Sequence, residues 1–159
     1  MLKLVGICIL LFTSILISRE LTLRCRRRLA LYEELLRFVS FLRLQIGCFL
    51  RPVPEVVAIF HSDEFCTCGF FPITSDDVEG AFSSSEAPRI VGDKCAGIMR
   101  SLFSSLGSGY LDDEVKLIDT HRTQLSVLVD KEREETVRRV RLVRTLTASI
   151  SLGLIILII

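Results

Sequence analysis

From Leu31 onward, apolar residues return every three or four positions, at Tyr32, Leu35, Leu36, Val39, Leu42, Ile46, Phe49 and Leu50, the spacing of one helical face. No glycine or proline falls between Gly6 and Gly47, so one long helix is predicted to run to about Gly47. Arg51-Pro52-Val53-Pro54 ends it, because proline disfavours helix in the residue before it and suits the first turn of the next. A short helix follows from Pro54 to His61, with Val56, Val57, Ile59 and Phe60 inward. Ser62 to Thr74 shows little periodicity. Ser75, Asp76 and Asp77 then offer a cap for a short helix through Val78, Ala81 and Phe82. Ser83-Ser84-Ser85 with Pro88 reads as a connection.

Helical spacing resumes from Gly92 to Leu106, with Cys95, Ile98, Met99, Leu102, Phe103 and Leu106 on one side, and Gly107-Ser108-Gly109 closes it. Asp112, Asp113 and Glu114 suit the positive end of a helix dipole, and Leu111, Val115, Ile118, Leu125 and Leu128 form the stripe of a second long helix. A thinner seam of Val137, Val140 and Val143 carries that helix on without glycine or proline. No segment alternates as a strand does, so the predicted class is all-α: two long helices with about three short ones bundled between them.

The two ends of this pattern change its meaning. Leu4 to Ser18 and Thr145 to Ile159 carry no charge, and each meets arginines on one side only. Helical residues rise about 1.5 Å each, so residues 1–18 reach about 27 Å and 145–159 about 22 Å, against a hydrocarbon core of about 30 Å. The expected domains are therefore a transmembrane helix at 1–18, a helical domain at 19–144 and a transmembrane helix at 145–159. The second span is short, and is expected to lean on neighbouring helices, those of its own copies included. A cleaved leader fits poorly, since Ser18-Arg19-Glu20 lacks a small-x-small site. A buried core helix fits the tail poorly, since it is apolar all round.

Charge then orients the chain. Arg19, Arg24, Arg26, Arg27 and Arg28 follow the first uncharged segment, and Arg138, Arg139, Arg141 and Arg144 precede the second. Both clusters favour the cytoplasmic face and read as anchors for anionic lipid. Residues 29–130 hold eight lysines and arginines against fifteen aspartates and glutamates, a net −7 hidden within an overall +1. Such a domain would repel phosphate, which argues against nucleic acid as a partner. Its acidic positions Asp63, Glu64, Asp76, Asp77 and Glu79 are candidate protein contacts on distal loops.

Catalytic chemistry is sparse. The chain has no phosphate-binding loop, no glycine-rich fingerprint and no Gly-x-Ser-x-Gly. His121 sits between Asp119 and Arg122 on a helix, without a companion nucleophile, and Asp112 to Glu114 read as capping residues. His61, Glu64, Cys66 and Cys68 are ligand types for zinc, but not at the spacing of a common zinc motif. The six cysteines, in a cytosolic setting, are expected to be reduced. A small integral-membrane enzyme would need polar groups within the spans, where only Thr13, Ser14, Thr147, Ser149 and Ser151 stand. The expectation is a non-enzyme without metal or cofactor.

The chain resembles the stage III sporulation protein AB family. The likeness is carried by MLKL opening a short span, the arginine-rich sequence after it, Glu34-Leu35-Leu36-Arg37 leading to Leu42-Arg43-Leu44-Gln45-Ile46, and Pro52-Val53-Pro54-Glu55-Val56. Ser105-Leu106-Gly107 with Asp112 and Asp113, and Ser151-Leu152-Gly153-Leu154 before the hydrophobic end, continue it in order. The stretch Phe65 to Ser75 departs, being richer in cysteine and aromatic residues, and Leu44-Gln45-Ile46 stands where an acidic residue is common. The resemblance implies a cytosolic helical bundle similar to the inner-membrane platform domains of secretion systems, flanked by two transmembrane helices. It implies a scaffold role in a channel complex between mother cell and forespore, in the mother-cell membrane. Its partners would be the stage III sporulation ATPase AA and other proteins of that A group. A membrane-anchored regulator or sensor that binds another cytosolic domain would share this topology.

Overall fold

The computed structural model describes the backbone of residues 2–70, 77–106 and 110–158, with side chains for those residues other than 2–5, 7, 8, 10, 11, 54, 154, 155, 157 and 158. Every regular element among them is a helix: α1 Leu2–Phe49, α2 Val53–Ile59, α3 Asp63–Thr67, α4 Val78–Ser84, α5 Ala87–Val91, α6 Asp93–Ser105 and α7 Leu111–Ile158. The all-α expectation holds, with five short helices between the long pair rather than three. The additions are α3, inside the stretch that lacks periodicity, and α5, where a connection was expected. Both are five residues long, too short for a 3.6-residue period to show in sequence.

Local chemistry sets each boundary. α1 runs past Gly47 and stops at Leu50, whose φ of +53° lies in the left-handed region that costs a branched side chain about 1–2 kcal/mol. Pro52 then holds an extended φ of −65° and leads into α2. The Ser62 side chain accepts from the Phe65 N–H and starts α3, and Asp77 accepts from the Gly80 N–H to start α4. A Cβ on Gly80 would fall 2.3 Å from an Asp77 carboxylate oxygen, so a larger residue there would oblige the capping side chain to shift. α5 ends on Gly92 at φ +83°, a conformation suited to glycine, and α6 begins from the same residue. The Gly107-Ser108-Gly109 turn, with Ser75 and Asp76, lies outside the described residues.

The chain divides into two compact units, Arg28–Glu132 and the pair of segments 1–27 and 133–159. Within the first, α1 and α7 run antiparallel: Arg43 pairs with Asp119 at 3.2 Å, the Arg122 Nε donates to the Ser40 hydroxyl at 3.1 Å, and Arg28 lies 3.0 Å from Glu132. Each step down one helix is a step up the other. The core between them is aromatic. Phe38 is fully buried, with ring centroids of Phe60, Phe65, Phe70 and Phe103 at 5.0, 5.6, 6.4 and 6.2 Å, mostly edge-to-face. Phe82 closes the cluster against Phe70 and Phe103, both at 5.5 Å. Such arrangements add about 0.5–1.5 kcal/mol per pair beyond area burial.

Most expected inward positions are buried, Leu35, Val39, Leu42, Ile46, Val56, Val57, Met99, Leu102, Ile118 and Leu125 among them. Several are not. Phe49, Leu50 and Ile59 are exposed because they sit at helix ends, beyond the last packed turn, and Leu111 and Val137 are exposed on α7.

In the second unit, segments of α1 and α7 expose large apolar side chains, including Phe12, Ile15, Ile17, Leu146, Ile150 and Leu152. Among the described residues no helix is long and apolar enough to cross a membrane. The spans expected at 1–18 and 145–159 are thus not found there.

Candidate functional site

The acidic candidates resolve into two helix starts. Asp63 and Glu64 occupy the first turn of α3 and Glu79 the first turn of α4, helical positions rather than loops, while Asp77 is the cap that precedes α4; Asp76 lies outside the described residues. Asp77 has a structural task, its Oδ1 accepting from the Gly80 N–H at 2.7 Å. Asp63 is exposed, and Glu64 and Glu79 are half-buried.

The basic candidates also divide. Arg24 pairs with Glu20 at 3.0 Å and Arg139 with Glu135 at 2.6 Å, each one helical turn apart and exposed, arrangements that contribute little to stability. Arg28, grouped in sequence with the lipid anchors, belongs instead to the compact unit. Its guanidinium lies beside the Glu132 carboxylate, which is buried, and 5.8 Å over the Tyr32 ring. The Tyr32 hydroxyl donates to the Val91 carbonyl at the end of α5. Burial pushes the Tyr32 phenol up, and Arg28 partly opposes it. One polar knot thus joins α1, α5 and α7 at the edge of the core. Glu132 was hidden in the charge run Lys131 to Arg144, where only burial distinguishes it from its neighbours.

His121 bridges α7 and α6: its Nδ1 donates to the Leu117 carbonyl at 2.9 Å, and its Nε2 lies 3.4 Å from the Ser101 hydroxyl. His61 contacts the Ile59 carbonyl, Cys66 is exposed, and Cys68 is buried with its thiol against the Phe65 carbonyl at 3.3 Å. No group of three or more metal-ligating residues converges among the described residues.

Burial separates the thiols sharply. Cys95 is fully buried on α6, and desolvation pushes it up to about 12 from 9.0, with Arg28 opposing and Glu132 adding to the rise. Burial also pushes the Cys68 thiol up. Cys48 and Cys66 are exposed. An uncharged maleimide at neutral pH should therefore label Cys48 and Cys66 quickly and leave Cys68 and Cys95 until unfolding. Because the folded Cys95 holds its proton more tightly, its contribution is full below about pH 9. It drains as pH rises towards 12, at up to about 1.4 kcal/mol per pH unit. Peptide mapping after timed labelling, and thermal unfolding at pH 8 and 10.5, check both expectations. Rapid native labelling of Cys95 would contradict the packing of α6.

No family model, no curated protein and no solved structure matches this chain.

Proposed function

We propose that this chain is a noncatalytic membrane scaffold of a secretion-like complex between mother cell and forespore, required for endospore development. Its compact helical unit faces the mother-cell cytoplasm and docks a cytosolic secretion-type ATPase of the stage III sporulation A group. The observation that carries the membrane part is the run of exposed apolar side chains, Phe12, Ile15 and Ile17 on α1 and Leu146, Ile150 and Leu152 on α7, meeting arginines on both helices. Apolar side chains so exposed and so continuous call for lipid or a partner helix, and the arginines suit the cytoplasmic interface. In this reading the uncharged ends of α1 and α7 insert into the bilayer. The scaffold part rests on the resemblance in residues and on the acidic helix starts of α3 and α4, which offer charge without a catalytic set.

The test is co-purification of the full chain with that ATPase in mild detergent, comparing wild type with Asp63→Asn, Glu64→Gln and Glu79→Gln combined. Asp77 is kept, because it caps α4. Wild type should retain the ATPase and the triple variant should lose most of it. Absence of binding by both, with normal spore development in a deletion strain, would sink the reading. Topology is read independently at exposed Cys66, which should react with an impermeant maleimide only after cells are permeabilised.

A further inference from the structure

Within the unit formed by 1–27 and 133–159, α1 and α7 enclose a concavity of about 530 Å³. Arg19 and Arg26 reach it from one helix and Arg144 from the other, while Ile15, Leu23 and Ala148 supply apolar wall. No carboxylate lines it, and among the described residues none pairs with any of these three arginines. Their neighbours Arg24 and Arg139 are matched by Glu20 and Glu135. Three hydroxyl protons along the wall are spent on the helices themselves, Thr22 donating to the Ser18 carbonyl at 2.8 Å, Thr147 to the Val143 carbonyl at 2.7 Å and Ser151 to the Thr147 carbonyl at 2.8 Å. What remains is three guanidinium groups of like charge beside an apolar wall, with no carboxylate of the described residues among them.

We propose that this concavity holds the phosphate headgroup of an anionic glycerophospholipid, with its acyl chains along the exposed apolar faces of α1 and α7. Guanidinium forks bind phosphate oxygens in pairs and are less heavily hydrated than ammonium groups. A free phosphate would meet the same cations but would leave Ile15, Leu23 and Ala148 in water, whereas a lipid covers them. The assignment rests on the membrane reading above and narrows it from general attraction by basic residues to one seat with three named donors. The concavity along Arg133, Arg138 and Arg141 on α7 includes Glu134, and so carries less uncompensated charge.

The experiment uses the full chain in mild detergent, with retained phosphatidylglycerol and phosphatidylcholine measured by native mass spectrometry, and inorganic phosphate as competitor. Wild type should retain phosphatidylglycerol over phosphatidylcholine. Arg19→Gln, Arg26→Gln and Arg144→Gln combined should lower that preference about tenfold or more, since each basic residue near an anionic headgroup adds to the attraction. Arg27→Gln, Arg138→Gln and Arg141→Gln remove the same charge elsewhere and should largely preserve it. Ala148→Leu, which narrows the apolar wall of the concavity and leaves every charge in place, should also lower it. Equal losses in the two arginine triples, an unaffected Ala148→Leu, or displacement by millimolar phosphate would overturn the lipid seat. Flotation with vesicles of phosphatidylcholine alone separates the two levels. A wild type that floats but shows no phosphatidylglycerol preference refutes only the seat, whereas one that does not float refutes the membrane reading as well.

Discussion

Phe38→Ala should cost about 3–5 kcal/mol of unfolding free energy, the range for removing a fully buried phenylalanine. Phe38 is 0% exposed and stands where α1 meets rings from four other positions, Phe60, Phe65, Phe70 and Phe103. Truncation removes the ring's burial and leaves a cavity that those four rings, themselves interlocked, can close only in part. Against a typical total of about 5–15 kcal/mol, that loss would bring the compact unit near its unfolding threshold at ordinary temperature. Phe41→Ala is the control: Phe41 is half-buried and meets Phe60 at 5.4 Å, so its loss should be distinctly smaller. Urea unfolding in mild detergent, followed by far-ultraviolet circular dichroism, compares the two. A Phe38 variant that loses under about 1 kcal/mol would mean that the core is not organised on this ring.

Glu132→Ala ranks next, at about 2 kcal/mol. Breaking a fully buried pair costs about 3–5 kcal/mol, and the figure is reduced because the Arg28 side chain keeps 35% of its surface in water while Glu132 keeps 9%. The damage comes from a guanidinium left without its anion beside Tyr32. Replacing both partners, Arg28→Met with Glu132→Leu, should therefore recover much of the loss. Cys95 reports the same event independently. Removing Glu132 takes away a group that raises the thiol and leaves Arg28, which lowers it, so Cys95 should label faster at pH 9 in the single variant than in wild type. A double variant no more stable than the single would contradict an electrostatic origin.

The Phe38 cluster also marks where sequence patterning reached its limit. Phe60, Phe82 and Phe103 carry inward spacing on their own helices, but Phe65 and Phe70 lie in Ser62 to Thr74, where Gly69 and the cysteines mask any period. That stretch departs from the resemblance noted for the rest of the chain, and it supplies two of the rings around Phe38. Phe38 itself sits beside Val39 in a helix with apolar residues on more than one face, and its central place follows from the short helices that cover it. Charge behaved likewise. Asp77 as a cap was legible, because the residue type and the following apolar positions suffice. Arg28 as an internal partner was not, because its five-arginine neighbourhood has one sequence character and two structural ones.

The sequence by itself determined the class and the long-range layout: helices throughout, two of them long, their breaks at Arg51-Pro52 and before Leu111, and uncharged segments bordered by arginine. These follow from backbone propensities and periodicity, which act within a few residues of one another. Only the tertiary structure decided which arginines are matched by acids and which three share a concavity, which cysteines are protected, and that the aromatic core closes on Phe38. Those outcomes depend on residues from distant parts of the chain meeting across α1 and α7, and burial there changes the energy of a charge or a thiol in ways that spacing along one helix does not encode.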